Sequence, residues 1–243
     1  MSSVSEISYE GTDLESMSFA LNYHRWILDL FAPYLGSRLV EVGAGTGSFS
    51  ELILKRNPES LTLVEPSREM YAILAERARE WSVGADVETR NGVFAAVADE
   101  IRLRRRPDSI VYVNVLEHIE DDEAELRAVA GALGRGGRVF IFVPALKWLY
   151  GSFDRKVAHF RRYTRRELEG KCSAAGFRVL KSVYFDLAGV APWWVKYCLL
   201  KSEEMEPGLV KLYDRCVVPV AKVLEAAVAP PLGKNILLVA ERE

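Results

Sequence analysis

The sequence predicts an α/β fold, a layered and mostly parallel sheet with helices on both faces. Three observations carry this. Short apolar runs alternate with segments of helical period along most of the chain. The first run, Arg38–Val42, carries an acid, Glu41, and passes directly into Gly43, Ala44, Gly45, Thr46 and Gly47. The second run, Leu61–Val64, is followed at once by another acid, Glu65. Strand, glycine turn, helix, strand and acid form one half of a nucleotide-binding sheet. Glycine allows backbone angles that other residues avoid and lets a ligand come close to the main chain. A carboxylate can accept both hydroxyls of a ribose.

Composition sets the outer bounds. A chain of 243 residues with 49% hydrophobic content can fill one core, so residues 1–243 are expected to form a single domain. A formal charge of -2 gives no general attraction to nucleic acid or to an anionic membrane. Cys172, Cys198 and Cys216 are far apart and form no CxxC pair, which argues against a structural zinc or a disulfide scaffold. A reducing, cytoplasmic setting is expected. The first residues lack the basic-then-apolar pattern of a signal peptide, and no internal repeat is apparent.

The elements follow in order. Residues 1–15 are polar and expected to be loose. A helix is predicted over 17–35, with Phe19, Leu21, Tyr23, Trp26, Ile27, Leu30 and Phe31 at helical spacing and with Pro33 and Gly36 closing it. After the first strand a helix runs from Ser48 to Lys55 and ends before Pro58. Ser67 is placed to cap the helix after the second strand, whose buried face carries Met70, Tyr71, Leu74 and Ala78. Val87–Val93 reads as a third strand, and Phe94–Arg106 shows no clear period. Ile110–Val115 has the low polarity of a central parallel strand covered on both faces. Asp121 and Asp122 suit the amino end of a helix reaching Leu133. Gly134–Gly137 is a turn and Arg138–Val143 a fifth strand.

Beyond this strand the pattern changes. Residues 144–165 form an aromatic and basic insertion. Thr164 and Glu167 have the spacing of a capping box for a helix ending near Gly176. Phe177–Tyr184 is a sixth strand and Asn235–Ala240 the last. Between these two strands lies an apolar helical insertion, 187–230, with helices expected around 187–201 and 208–228. Neither apolar run reaches the roughly 20 residues needed to cross a bilayer, so a buried helix is the simpler reading. A greasy substrate lid or a membrane-touching surface stays open, as does a homodimer formed through this region.

Glu41-Val-Gly-Ala-Gly-Thr-Gly47 resembles the nucleotide-binding motif of class I S-adenosylmethionine-dependent methyltransferases. Asn114-Val-Leu-Glu-His-Ile-Glu-Asp-Asp122 and Gly134-Arg-Gly-Gly137 resemble the corresponding segments of the broad group that includes ubiquinone-biosynthesis O-methyltransferases. The resemblance covers about residues 17–185 and the final strand. It implies a Rossmann-like seven-stranded sheet of order 3-2-1-4-5-7-6, with S-adenosyl-L-methionine as cofactor and S-adenosyl-L-homocysteine as product. It also implies roles. Glu41 meets the amino end of the cofactor, the loop from Gly43 to Gly47 lies beside its methionine part and ribose, and Glu65 holds the ribose. Pro66 and Ser67 lie near the adenine, and Asn114 and Val115 complete the pocket. Many relatives carry an adenine-binding acid after the third strand. Here only Asp99 is available, late enough to be an ordinary helix acid, and Phe94 is an alternative adenine contact.

A sulfonium methyl passes to an electron-rich atom by in-line displacement, so orientation supplies much of the catalysis, no metal is inherently required, and none is expected. A hydroxyl acceptor benefits from a base. His118 lies just beyond the fourth strand, where open parallel sheets place their ligands, and is either that base or a residue holding the Glu117 turn. His159 is the second candidate. With Asp154, Arg162 and Tyr163 it matches a Gly-x-x-Asp-x-x-x-x-His-x-x-Arg-Tyr segment of some bacterial methyltransferases. Asp154 and His159 are candidates for an orienting pair, or for part of a local Asp–Arg–Tyr network. Aromatic rings can enclose an acceptor and arginine can fix an anion, which makes Trp148, Tyr150, Arg162 and Tyr163 candidate substrate residues. Tyr23 and Trp26 on the first helix are candidates from the opposite side.

The expected acceptor is therefore a small molecule, anionic or partly hydrophobic, methylated on a carboxylate, phenol or hydroxyl. N- or C-methylation and an inactive cofactor-binding or assembly protein are the alternatives. A nicotinamide oxidoreductase is disfavoured by the glycine spacing and by the lack of a Tyr-x-x-x-Lys pair. Nucleic acid is not an expected substrate, because no Asn/Asp-Pro-Pro-Tyr signature follows the fourth strand and no basic aromatic platform is present. Peripheral membrane association is left open.

Overall fold

In a computed structural model, which describes residues 20–81 and 86–243, seven strands form one sheet. The expected loose stretch 1–15, and Met17 and Phe19 of the first helix, lie outside the described residues. The strands are β1 (Arg38–Val42), β2 (Ser60–Glu65), β3 (Asp86–Asn91), β4 (Ser109–Val113), β5 (Arg138–Pro144), β6 (Phe177–Phe185) and β7 (Asn235–Arg242). Their order is β3-β2-β1-β4-β5-β7-β6, the expected one. β1 to β5 are parallel, and β7 lies antiparallel between β5 and β6.

Side chains alternate across a strand, so each central strand feeds two cores. Ile110, Tyr112, Val139, Ile141, Ile236 and Leu238 face one layer. It is completed by α4 (Phe94–Arg105), α5 (Asp122–Ala132) and α7 (Arg165–Ala174), through residues such as Ile101, Leu126 and Leu168. Val111, Phe140, Phe142, Leu237 and Val239 face the other. Against them pack α1 (Leu21–Phe31), α2 (Ser50–Leu54) and α3 (Arg68–Trp81), through Ile27, Phe31, Ile53 and Leu74. This two-sided burial explains why the central strands read as continuous apolar runs.

Three sequence expectations change. Phe94–Arg106, which shows no period, is largely the helix α4. Its buried stripe is Phe94, Ala98 and Ile101, with arginines filling its last turn. The third strand stops at Asn91, because Gly92 has φ +147° and turns the chain. The helix expected over 208–228 is two helices, α9 (Pro207–Cys216) and α10 (Val218–Ala227). Pro219 explains the break: it lacks an N–H and is suited to the first turn of a new helix. Before them, α8 (Val190–Trp193) continues into one wide π-helical turn, Trp194–Leu199. The short α6 (Ser152–Lys156) sits in the aromatic insertion. Thr164 caps α7 as expected, accepting from the Glu167 amide at 3.3 Å. Among the described residues no helix is long and apolar enough to cross a membrane. Leu212 and, on α10, Val220, Val223 and Leu224 are nevertheless exposed.

One buried side chain ties the insertion to the start of the first helix. Asp214 of α9 accepts from the backbone amides of Asn22, at 3.1 Å, and Tyr23, at 2.8 Å. These belong to the first turn of α1, where helix amides have no internal partner. Asp214→Ala is expected to cost about 1–3 kcal/mol, the range for orphaning such donors. Urea unfolding checks this, and an unchanged midpoint would overturn the capping role.

Candidate active site

A cavity of about 360 Å3 opens at the carboxyl end of the parallel strands. Its walls come from α1 (Tyr23, His24), the glycine loop (Gly43, Ala44, Thr46), the ends of β4 and β5 (Asn114, Pro144), α6 (Phe153) and the insertion (Trp193, Tyr197, Tyr213). Glu41, Glu117, His118, His159 and Arg162 are among its polar lining.

The loop is built as its glycines require. Gly43, Gly45 and Gly47 have φ of +69°, +56° and +87°, a region that other residues rarely adopt. A side chain on Gly43 would collide with Val115, and one on Gly47 with the Trp81 ring. The Gly43 amide donates to the Val64 carbonyl at 2.8 Å, tying the loop to β2. Glu65 then closes the turn. One of its oxygens accepts from the Gly45 amide and the other from the Ser67 amide, both at 2.8 Å. Burial pushes its carboxyl up, and these two amides pull it back. Each oxygen keeps acceptor capacity for a further donor. Gly45, Gly47, Glu65, Pro66, Ser67 and Val115 stand outside the cavity lining, whereas Glu41, Gly43, Ala44, Thr46 and Asn114 lie in it. Asp99 is 92% exposed at its side chain and pairs with Arg102, so it behaves as an ordinary helix acid. Phe94 is sealed in the core against Tyr112, which removes it as an adenine contact.

Two buried polar groups flank the loop from the cavity. Glu41 accepts from the Ser50 hydroxyl at 2.6 Å, and burial, more than the neighbouring Glu65 charge, pushes its carboxyl up to about 8. His24, which the sequence reading missed, is buried with its Nδ1 unpartnered, and burial pushes it down to about 4. An ammonium and a carboxylate are what such a pair lacks. The amino-acid end of S-adenosylmethionine carries both, so the residues present fit that cofactor. The only sequence signal for His24 is a histidine one position after Tyr23 on an otherwise apolar helix face.

Opposite the loop, the insertion builds a second polar cluster. Asp154 is fully buried. It accepts from the Gly151 amide at 2.9 Å and from Arg162 Nε at 2.8 Å, and pairs with His159 Nδ1 at 2.8 Å. Burial pushes the Asp154 carboxyl up, but these partners outweigh it and hold the group below its ordinary value. The expected orienting pair is therefore present. His159 Nε2 points towards Glu117, at 3.9 Å from Oε1. The His118 ring meets the His159 ring edge-on, with 4.6 Å between centroids. Burial first, then the His159 charge, pushes His118 down to about 3, which makes it a poor proton acceptor at neutral pH. Glu117, His118 and His159 offer ligand atoms within 4.8 Å of one another, a set that can hold a metal ion.

The aromatic candidates divide. Tyr23 lines the cavity and donates its hydroxyl to Asp186 at 3.1 Å or to Asn235 at 3.0 Å. Arg162 lines it too, with its guanidinium 4.7 Å from the Trp193 ring. Four others do not line it. Trp26 is core, stacked 3.9 Å from Phe185, and Trp148 is 56% exposed on the outside. The Tyr150 hydroxyl donates to the His159 carbonyl at 2.7 Å, so it braces the insertion. Tyr163 is buried and donates to Asp122 at 2.7 Å. The expected Asp–Arg–Tyr network is thus two networks, Asp154 with Arg162 and Asp122 with Tyr163. Trp193, Tyr197, Tyr213 and Lys234 take the lining places instead, supplied by the insertion and the turn before β7.

Strand order, glycine loop and acid after β2 define a class I S-adenosylmethionine-dependent methyltransferase. The family model described as "Methyltransferase domain" matches residues 19–182, and the chain belongs to that family. A ubiquinone biosynthesis O-methyltransferase of Aeromonas salmonicida is 28% identical over 116 residues, covering 48% of this chain and 47% of that protein. The chain matches less than half the length of the curated relatives. A SAM-dependent methyltransferase from Archaeoglobus fulgidus aligns with TM-score 0.59 at 18% identity, over 95% of this chain and 99% of that one. A protein from Galdieria sulphuraria, described as a putative sarcosine dimethylglycine methyltransferase, aligns with TM-score 0.60 at 15% identity, over 92% and 86% of the two chains. The two structures share the fold.

Two outcomes follow from the loop's flanking groups. Replacing His24 by leucine is expected to weaken S-adenosylhomocysteine binding about tenfold, one hydrogen bond's worth. Binding of 5′-methylthioadenosine, which lacks the amino-acid end, is expected to stay unchanged. Calorimetry with both ligands checks this, and equal losses would remove the assignment. Glu41 is protonated in the fold and ionised in the unfolded chain at neutral pH. With its folded pKa raised, the stability it allows is present below its ordinary 4.5 and is lost as pH rises through about 8. Glu41→Gln is therefore expected to gain in melting temperature over the parent as pH rises from about 5 to about 8. A pH-independent difference would contradict the raised value.

Proposed function

We propose that this protein transfers the methyl group of S-adenosylmethionine to an oxygen of a small, partly hydrophobic acceptor. One observation carries the reading. The same cavity holds, on one wall, the glycine loop with Glu41 and, on the other, a histidine oriented by a buried aspartate. Asp154 fixes the His159 ring through Nδ1 and leaves Nε2 facing the cavity side of Glu117. A hydroxyl placed there loses its proton to the Glu117–His118–His159 cluster, where His159 is the residue oriented to take it. The cofactor supplies an electrophilic methyl. The acceptor's oxygen–carbon bond forms as the sulfur–carbon bond breaks, and the bonding pair stays on sulfur.

The chain's own part is positioning. Phe153, Trp193, Tyr197 and Phe142 give the acceptor an apolar bed and exclude water. Lys234 and Arg162 line the same wall, each already paired with a buried aspartate, so they add polar contacts without net charge. The partial likeness to ubiquinone biosynthesis O-methyltransferases supports oxygen as the accepting atom.

A methyl-uptake screen over phenols, hydroxy acids and sugars tests the reading, with the product's bond assigned by NMR. O-methyl products are expected, and transfer confined to amines would overturn it. On the best acceptor, His159→Ala is expected to lower kcat about 100-fold or more, the usual worth of a positioned base, while S-adenosylhomocysteine affinity is retained. An unchanged kcat would remove the cluster from the chemistry.

A further inference from the structure

We propose that Glu117, His118 and His159 bind a divalent first-row transition ion, with an open coordination position facing the cavity. The inference deepens the oxygen-methylation reading and rests on it only for what fills that position.

Two segments distant in sequence make the cluster. Glu117 and His118 end the short turn Leu116–His118 after β4, and His159 follows α6. The Phe160 amide donates to the Glu117 carbonyl at 2.9 Å and locks the segments together. Glu117 is wholly buried, yet neither carboxylate oxygen has a hydrogen-bond partner in another residue. A buried acid left in that state is costly and calls for a missing partner. His159 Nε2 stands 3.9 Å from its Oε1 across the gap, too far for a hydrogen bond. Two ligands each about 2.1 Å from a shared ion stand about 3.4 Å apart in a tetrahedron, so a small side-chain shift closes the site.

The surroundings are those of ligating histidines. Asp154 holds His159 Nδ1 at 2.8 Å, which turns Nε2 towards Glu117. Asp154 is itself held by Arg162 and Gly151, so the ring cannot swing. His118 is held by a hydrogen bond to the Val157 backbone, and a ring nitrogen of it lies within 4.8 Å of the ligand atoms of Glu117 and His159. Carboxylate–histidine–metal and carbonyl–histidine–metal chains are the usual supports of such ligands. Two imidazoles and one carboxylate suit zinc, iron, cobalt or manganese better than magnesium or calcium. Because all three residues line the cavity, the open position is available to the acceptor's hydroxyl. Ligation lowers the pKa of that hydroxyl, its proton leaves to solvent, and the ion holds the resulting oxyanion as nucleophile. His159 then acts as ligand instead of base.

The test uses the whole chain, stripped with a chelator and dialysed against zinc or cobalt. Mass spectrometry of metal content is expected to give one ion per chain, and the cobalt form is expected to show visible d–d bands. Glu117→Gln and His118→Ala are expected to lose the ion and the bands. Asp154→Asn is expected to weaken metal affinity 10–100-fold, the range for lost supporting bonds. S-adenosylhomocysteine binding, measured on every variant, reports that the chain is folded. No uptake by the parent chain, or uptake unchanged in folded Glu117→Gln and His118→Ala, overturns the metal site and leaves O-methylation standing. A parent chain that takes up the ion but methylates no oxygen acceptor overturns the reading of function and leaves the site.

Discussion

The working side of the cavity depends on one carboxylate, that of Asp154. It has no exposure to water, yet it stays ionised because an amide, a guanidinium and an imidazole all converge on it. Each partner is thereby fixed. Gly151 starts α6, and a side chain there would collide with the Tyr197 backbone, so the insertion and the wide turn after α8 pack at backbone distance. Arg162 also donates to the Ala145 carbonyl at 3.1 Å, pinning the insertion to the end of β5. His159 is left with one nitrogen for chemistry. Removing one member of such a buried set strands the others, because each was desolvated for the sake of the rest.

The opposite wall uses the same logic with weaker charges. Glu65 bridges two backbone amides, so loop and post-β2 turn are held before any ligand arrives. A loop ordered in advance loses less conformational freedom on binding, which is how a rigid glycine turn raises affinity without new contacts. Glu41 and His24 remain under-satisfied. The two walls therefore differ in purpose. One is a completed scaffold for an oriented ring, and the other carries polar groups that still lack full partners.

Legibility in the sequence followed the range of the interactions. The glycine loop, Glu65, the Leu-Glu-His block and the strand order are set within short stretches, where backbone angle and period decide the outcome. Asp154 and His159 were readable as a pair because five positions separate them around one short helix. Glu117 facing His159, and Asp214 capping α1, join residues from different elements, and spacing along the chain carries no trace of them. Tyr163 was read with its neighbour Arg162, yet adjacent residues on an extended segment point to opposite sides, which sends its hydroxyl to Asp122. Trp148 and Trp26 stand out in the sequence for their ring chemistry. Aromatic rings serve cores as readily as pockets, and only the fold separates the two.

The insertion before β7 closes one side of the cavity. Its order in space reverses its order in sequence: α9 and α10 lie against α1 at the start of the domain, while α8 lies against α6. That side of the cavity is thus enclosed by late residues, Trp193, Tyr197 and Tyr213, braced on early ones. Asp186 sits at the joint with φ +63°, accepting from Tyr23 and Tyr213 and pairing with Lys234 at 3.1 Å. A non-glycine residue held in that conformation is a local cost that the surrounding bonds must offset. They do so by linking α1, the insertion and the turn into β7 at a single buried point. The glycine-loop wall is then built from the parallel half of the sheet, and the opposite wall from the two insertions.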